Sequence, residues 1–212
     1  MGARAFNKDL LQTTLASAVL EMGMNETGFD GTDDAAYRIE AGDFLIAGGA
    51  LYSNLDYSFV AGQEDGTFTE KHAGGGVPTL RDQLNLLRRF IESFDFVRMA
   101  PSPEVVQGVT PAGASVRVLA ERGSAYAVYL HHGHPANEVK PGTVRYSLDS
   151  NAHEVQLALN LPRNSYLAEW MNTKTGKIDK GERFTHGGGE KTLASPAYIE
   201  DIAVRVIAQG DA

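Results

Sequence analysis

The sequence predicts an α/β segment followed by an antiparallel β-sandwich, and two observations predict this division. In the first half, apolar residues recur at helical spacing in segments that alternate with short strand-like runs. In the second half, every segment alternates between apolar and polar residues with period two, and Gly, Pro or Asn turns separate the segments. We therefore predict an α/β part at residues 1–100, a proline-containing linker at 101–113 and a β-sandwich at 114–212.

Composition limits the classes of function that the chain can have. The 212 residues include 19 Lys and Arg against 27 Asp and Glu, and the net charge of −8 argues against a nucleic-acid partner. The absence of cysteine excludes disulfides, thiolate metal ligands and cysteine nucleophiles. No apolar run reaches the roughly 18 residues of a membrane span, and the first residues lack a signal-peptide core. For the sequence as it stands we expect a cytoplasmic location, no membrane partner and no cofactor.

The beginning of the α/β part is predicted to contain two helices and one strand. Apolar residues at helical spacing predict the first helix at 6–20, and a strand is predicted at 21–26. Thr32 and Asp33 are typical of a helix start, so a second helix begins there. We expect this helix to end at Gly48-Gly49, because glycine is the usual residue just beyond a helix.

A strand, a long loop and a third helix are predicted next. Residues 50–60 alternate with period two, which predicts a strand. The glycine-rich loop at 61–78 is too long for an ordinary connector, so we predict that it lies on the substrate side. Thr79 is predicted as the N-cap of the third helix. Its apolar stripe at helical spacing comprises Leu80, Leu84, Leu87, Ile91 and Phe94.

The sandwich part is predicted from short segments with clean period-two alternation, about five to eight of which are expected to be strands. Such segments are typical of antiparallel strands that bury one face. They read SVRVLAE, AYAVYLH, TVRYSLD, EVQLALN, YLAEWMN and IEDIAVRVIA.

Two parts of the chain resemble a known group of enzymes. The stretch NETGFDGTDDAAYRIEAGDFLIAGGALYSNLDYSF resembles the last part of the catalytic barrel in cellulase-like glycoside hydrolases, including family-5-like and DUF4038-type glycosidases. The stretches LPRNSYLAEWMNTKTGK and SPAYIEDIAVRVI resemble the β-sandwich that follows the barrel in those proteins, a domain of the collagen-binding type. The resemblance implies a β-glucosidase-like or cellulase-like glycoside hydrolase that acts on β-glycosidic bonds. Its ligand would be a β-linked glucoside or oligosaccharide.

The resemblance also implies a fold and an assembly. A complete (β/α)₈ barrel needs about 250 residues, but only about 110 residues precede the sandwich here. We therefore expect an incomplete (β/α) TIM-barrel fragment followed by an antiparallel β-sandwich. Barrel strands are normally buried on both faces, so a fragment would expose apolar faces and unpaired backbone groups. This predicts a homodimer or a higher oligomer.

The resemblance implies that Glu26 is the nucleophile or the stabilising carboxylate of the site. Glycoside cleavage needs two carboxyl groups, about 5–5.5 Å apart in retaining enzymes and about 6.5–9.5 Å apart in inverting ones. The family's acid lies on an earlier strand, before the stretch that carries the resemblance. Asp56, on the polar face of the strand predicted at 50–60, is the first candidate to replace it. Glu64 and Asp65 in the following loop are the alternatives.

Further side chains are predicted to bind the substrate. Sugar rings pack their C–H faces on aromatic side chains and direct their hydroxyls to polar groups. Phe29 and Tyr52 are the predicted aromatic contacts, and Asn54 lies on the same polar strand face as Asp56. Glu64 and Asp65 are the predicted polar contacts from the loop.

The run HHGH, with His131, His132 and His134, suggests a metal site at first sight. Imidazole is a good metal ligand, but this spacing at a strand-to-turn corner does not bring the rings together. We therefore predict a solvated turn there and no metal site.

Two other functions compete with the enzyme. The chain could be a non-catalytic carbohydrate-binding or structural protein, or a module that completes the barrel of a separate partner. A fold alone does not decide between these functions. The discriminating feature is a second carboxyl group within reach of Glu26.

Overall fold

The structure, a computed structural model, contains two α-helices and thirteen β-strands within its described residues. The helices are α1 (Asp34–Ile46) and α2 (Pro78–Glu92). Neither of them is long and apolar enough to cross a membrane. The described residues are 34–50, 52, 58–68, 78–140 and 143–210.

The strands follow the helices in the chain, and short 3₁₀ turns lie at Phe96–Arg98 and Pro103–Val105. The strands are β1 (Ala100–Pro101), β2 (Val106–Thr110), β3 (Ser115–Glu121), β4 (Ala125–His131), β5 (Gly133–Lys140), β6 (Thr143–Leu148), β7 (Ala152–His153), β8 (Gln156–Leu161), β9 (Asn164–Met171), β10 (Ile178–His186), β11 (Gly189–Ala194), β12 (Tyr198–Ile199) and β13 (Asp201–Ala208).

Two antiparallel sheets form a sandwich. The larger sheet has the strand order β1-β3-β4-β13-β9-β10, and the smaller has the order β11-β8-β2. The pairs β7–β12 and β5–β6 are separate two-stranded ribbons. This arrangement agrees with the antiparallel sandwich that the period-two patterning predicts.

The core of the sandwich lies between the two sheets and consists of one side-chain face from each strand. Leu157, Leu159 and Leu161 alternate along β8 and are fully buried against the larger sheet. Trp170 of β9 and Val204 of β13 are buried on the opposite side of the same core. Burial of side chains of this size contributes about 1.5–3 kcal/mol each, so this layer is the main source of stability for the sandwich.

Strand β4 is buried on both of its faces, because the helices cover the outer side of the larger sheet. Tyr126 and Val128 face the sandwich core, whereas Ala127 and Tyr129 face a second core formed with the helices. Ile46, at the end of α1, belongs to this second core. Small side chains such as Ala127 allow the helices to approach the sheet closely.

The prediction of an incomplete TIM-barrel fragment is wrong. All strand pairs among the described residues are antiparallel, and no barrel closes there. The physical reason is that α1 and the last turn of α2 pack on the outer face of the sandwich itself, so the helices form a layer on an antiparallel sheet. Residues 58–60, the end of the strand predicted at 50–60, form a turn with one isolated bridge between Val60 and Gln63.

Other predicted elements of the first part lie outside the described residues. They are the helix at 6–20, the strand at 21–26, the start of the second helix at 32–33, and residues 51 and 53–57 of the strand at 50–60.

The predicted end of the second helix is confirmed. Helix α1 ends at Ile46, and Gly48 follows with a φ of 95°, a conformation that glycine adopts without steric cost. The amides of Gly48 and Gly49 donate hydrogen bonds to the carbonyls of Leu45 and Phe44, at 3.0 and 2.9 Å. These bonds satisfy carbonyl groups that the end of a helix leaves open.

The predicted role of Thr79 differs from the one in the structure. Helix α2 begins at Pro78, where a proline is well tolerated, so Thr79 lies within the first turn. Its hydroxyl donates a hydrogen bond to the carboxylate of Asp34, the first residue of α1. Thr79 therefore connects the starts of the two helices.

The proline-containing segment at 101–113 includes regular structure. Its residues Val106–Thr110 form β2, which pairs with β8. The predicted domain boundaries and the predicted homodimer stay predictions.

Candidate functional site

A groove of about 830 Å³ lies between the two helices and the β1 edge of the larger sheet. Its walls are mainly apolar side chains from α1 and α2, and its far end is formed by the 3₁₀ turn that follows α2. The lining residues include Ala41, Leu45, Tyr52, Leu84, Leu87, Arg88, Ile91, Phe96, Met99 and Leu119. Its size and its lining are those of a small-molecule site.

The groove exists because the sheet covers only part of the apolar stripe of α2. Leu80 and Phe90 are buried, but Leu84, Leu87 and Ile91 are half-buried and line the groove. The predicted stripe is therefore present, and its middle faces the groove.

The 3₁₀ turn places apolar side chains at the rim of the groove. Phe96 is 44% exposed and Val97 is 66% exposed, although both are large and apolar. Exposed apolar residues that lie together commonly mark interaction sites. The rim therefore offers an apolar contact surface to a molecule that enters the groove.

Tyr52 is the only predicted substrate-binding residue among the described residues that lines this groove. Its side chain is half-buried, and its hydroxyl donates a hydrogen bond of 3.2 Å to the carbonyl of Tyr37 in α1. This bond fixes the phenol group, so the ring has a defined position in the wall. An aromatic ring in such a wall can pack against the C–H face of a sugar.

The polar groups of the groove lie on the exposed side of α2. Arg88 donates hydrogen bonds to Glu92 at 2.7 Å and to Asn85 at 2.8 Å. Arg88 and Glu92 both contribute to the lining. An apolar wall with a few charged groups at its edge is suited to a ligand that has both an apolar face and hydroxyl groups.

Four of the predicted site residues lie outside the described residues: Glu26, Phe29, Asn54 and Asp56. Their roles, including the catalytic pair of Glu26 and Asp56, stay predictions.

Glu64 and Asp65 lie in an exposed turn, where their carboxylates bind the local backbone. Glu64 accepts a hydrogen bond of 2.9 Å from the amide of Gly62, and Asp65 accepts bonds from the amide and the hydroxyl of Thr67. These bonds hold the pKa of both carboxyl groups below the ordinary value. Because hydrogen bonds to the charged form favour that form, both groups are ionised and poorly suited to donate a proton.

A buried charge network, which the sequence did not predict, holds α1 on the sheet. The guanidinium of Arg38 in α1 donates to both carboxylate oxygens of Asp201, at 2.7 and 3.0 Å, and to Glu200 at 2.8 Å. The hydroxyl of Tyr129 donates to the same carboxylate at 2.8 Å. Burial alone would lower the pKa of Arg38, but the hydrogen bonds and charge of Asp201 outweigh it, and the pKa is raised. The ion pair therefore stays charged in the interior.

His131, from the run HHGH, belongs to a second pair that joins α1 to the sheet. Its Nε2 lies 3.0 Å from a carboxylate oxygen of Asp43, and Arg117 also binds this carboxylate at 2.9 Å. The amide of Gly133 donates to Nδ1 of the ring, which leaves Nε2 as the donor to Asp43. Burial would raise the pKa of Asp43, but His131 and Arg117 hold it below the ordinary value. His131 is thus a buried, structural histidine. The prediction of a solvated turn is wrong for this residue.

His132, from the same run, lies on the other side of the sheet. Its ring stacks on that of His153, with the ring centres 3.6 Å apart, and its Nε2 lies 2.8 Å from the hydroxyl of Tyr198. Within the described part of the chain, no group of three or more His, Asp or Glu is arranged to hold a metal ion.

Comparisons with known proteins find similarity at the level of structure. No protein-family model and no curated protein match the sequence. A solved structure of a glycoside hydrolase matches with a TM-score of 0.51 at 15% identity, over 83% of this chain and 37% of that chain. A glycoside hydrolase of family 5 from Bacteroides vulgatus matches with a TM-score of 0.54 at 12% identity, over 84% of this chain and 36% of that chain.

A third structure, TmCBM61 in complex with β-1,4-galactotriose, has a TM-score of only 0.19, which does not indicate a shared fold. The chain spans a little over a third of the length of the two glycoside hydrolases. At these low identities the similarity shows that the chain shares its fold with part of glycoside hydrolase structures.

Proposed function

We propose that this chain acts on carbohydrates as part of a glycoside hydrolase that cleaves β-glycosidic bonds, with a β-linked glucoside or oligosaccharide as its substrate. The observation that carries the proposal is the extent of the similarity to two glycoside hydrolase structures, at 83% and 84% of the chain. The sandwich strands lie between residues 100 and 208, roughly half of the chain. The similarity therefore extends beyond the sandwich.

The groove supports the same proposal. It combines a wall of aliphatic side chains, the ring of Tyr52 and the charged pair of Arg88 and Glu92. These are the groups that bind the C–H faces and the hydroxyls of a sugar. We propose that the groove binds part of the saccharide.

Removing the ring of Tyr52 is expected to weaken saccharide binding. In Tyr52→Ala we expect the Kd for a cello-oligosaccharide to rise about tenfold, which corresponds to a loss of about 1.4 kcal/mol. The matched control is Tyr52→Phe, which keeps the ring and removes only the hydroxyl that binds Tyr37. Isothermal titration calorimetry measures the Kd of the wild type and of both variants. Equal affinities for wild type and Tyr52→Ala would show that the groove is not a saccharide site.

For catalysis, we propose that Glu26 is the ionised carboxylate and that Asp56 is the acid. Two carboxyl groups are needed, one ionised and one protonated. The loop acids fit the second role poorly, because Glu64 and Asp65 are exposed and their pKa values are lowered. This leaves Asp56 as the first candidate.

Glu26→Gln is expected to slow the hydrolysis of an aryl β-glucoside by at least about 10²-fold, in line with the contribution of a single catalytic group. An aryl glycoside has a good leaving group and needs little acid assistance, so Asp56→Asn should affect it less than a natural disaccharide. The control is Glu190→Gln, a change to an exposed residue of β11. The initial rate of aryl-group release is the measurement. Full activity in Glu26→Gln, with a folded protein, would overturn the proposed role.

A non-catalytic carbohydrate-binding protein is the second candidate function, and one observation favours it. The two described acidic candidates, Glu64 and Asp65, use their carboxylates within their own turn. If the wild type binds cello-oligosaccharides more tightly than Tyr52→Ala does, while neither hydrolyses an aryl β-glucoside, the binding function is the correct one.

A further inference from the structure

Two stacked histidines form a compact cluster with Tyr198 at one end of the sandwich. The rings of His132 and His153 are almost parallel, with an angle of 7° and a centre-to-centre distance of 3.6 Å. The hydroxyl of Tyr198 lies 2.8 Å from Nε2 of His132, and Tyr198 pairs with His153 across the β7–β12 ribbon. The cluster therefore joins the end of β4 to both strands of this ribbon.

The cluster can hold one positive charge more easily than two. Asp149 is the carboxylate that faces it, with an oxygen 3.5 Å from Nε2 of His153. This Nε2 is buried and makes no hydrogen bond within the described part of the chain. Burial raises the pKa of Tyr198, so its phenol stays neutral. The neighbouring His131 does not face the cluster, because its ring binds Asp43 on the helix side. A second proton would place two cations in face-to-face contact.

The segment that carries Tyr198 also carries the groups that hold α1. Glu200 follows two residues later and has a φ of 69°, a left-handed conformation that a non-glycine residue keeps only when its surroundings fix it. Its carbonyl accepts a hydrogen bond of 2.8 Å from the amide of His132. Its carboxylate and that of Asp201 bind Arg38 of α1. Hydrogen bonds therefore connect the histidine cluster, through Glu200 and Asp201, to the helix on the other side of the sheet.

We propose that His132, His153 and Tyr198 form an acid-sensitive latch, which holds α1 on the sandwich at neutral pH and loosens it in mildly acid solution. Because α1 is a wall of the groove, opening of the latch changes the shape of the groove. The proposal does not depend on what the groove binds.

The direction of the pH effect follows from the lowered pKa of His132. Burial, and next the charge of His153, hold this pKa below the ordinary value of 6.5. The open form therefore binds a proton more readily than the closed form. His132 makes its full contribution to the stability of the closed form at pH values above the ordinary histidine pKa. This contribution is lost as the pH falls through the lowered pKa of His132.

Hydrogen exchange of the full chain tests the latch. After correction for intrinsic exchange chemistry, we expect the amides of α1 and β12 to exchange several-fold faster at about pH 5.5 than at about pH 7.5, a range in which histidine titrates. His132→Phe keeps a ring in the stack but removes the group whose lowered pKa gives the acid response, so this response should disappear. The matched control is His186→Gln on β10, which lies outside the cluster and should respond like the wild type.

Three results would overturn the proposal. The first is equal protection of α1 at both pH values in the wild type. The second is a full acid response in His132→Phe, and the third is a response that only His131→Gln abolishes, since the proton would then act at Asp43. If His132→Phe does not fold, the NMR titration of the His132 ring in the wild type decides. We expect His132 to titrate below the ordinary value, and titration of His132 at the ordinary pKa would refute the latch.

Discussion

Replacing Asp201 by alanine is expected to lower the free energy of unfolding by roughly 3–5 kcal/mol, the usual cost of removing one partner of a buried ion pair. Arg38 is only 4% exposed, so its charge would remain in the interior without its bidentate partner. Tyr129 would also lose the acceptor of its hydroxyl. Glu200 still binds Arg38, so we expect the lower end of the range. Urea denaturation measures the change.

A surface ion pair is the control for this variant. Glu92 pairs with Arg88 at 2.7 Å, but both side chains are about half exposed, so Glu92→Ala should cost less than about 1 kcal/mol. If Asp201→Ala costs no more than Glu92→Ala, the Arg38 network does not stabilise the helix layer. The double variant Arg38→Met/Asp201→Leu should be more stable than Asp201→Ala alone, because it leaves no unpaired charge.

Gly42→Ala is expected to destabilise the protein by about 1–3 kcal/mol, the usual cost of overpacking a tight core. A Cβ atom at this position of α1 would lie 2.6 Å from the Cζ atom of the Tyr129 ring. The ring cannot easily move away, because its hydroxyl is bound to Asp201. In an exposed helix the same change would stabilise by up to about 1 kcal/mol, so the sign of the effect reports the packing. Thermal and urea unfolding measure it.

The matched control is Gly187→Ala, where a Cβ atom would have no neighbour within 4 Å and the backbone does not need glycine. Its stability should stay within about 0.5 kcal/mol of the wild type. If Gly42→Ala is instead more stable than the wild type, the helix and the sheet are not in close contact at this point.

The sequence predicts β3, β4, β6, β8, β9 and β13 because period-two alternation depends on local burial, but β5, β10 and β11 match none of the predicted segments, and the strands outnumber the five to eight expected. It predicts the two described helices for the same reason, since apolar spacing and the glycines after Ile46 are local signals. The neighbouring sequence does not indicate which element covers the second face of a strand. In AYAVYLH, Ala125 and Ala127 occupy the face opposite Tyr126 and Val128, and such small residues fit either an exposed face or one that a helix covers closely.

The barrel fragment was predicted from a resemblance, and the resemblance did not indicate what the helices pack against. The Arg38 network shows the same limit for the site. Arg38 and Asp201 are 163 positions apart in the sequence, and no spacing rule connects them. One signal was present, since Arg38 stands between the buried residues Tyr37 and Ile39, where a charged residue needs a partner. Tyr52 could be proposed as a ligand contact because it lies on a locally polar stretch.

The burial of β4 on both faces has a consequence for dividing this chain. A fragment that starts near residue 100 would keep all thirteen strands, but Ala127 and Tyr129 would face water and Asp201 would have lost Arg38. A fragment with only the helices would leave Arg38 without Asp201, and Ile46 without the sheet residues that it packs against. The helices and the sandwich are therefore a poor choice for separate expression or for exchange between proteins, and any engineered chimera should keep both layers from the same parent.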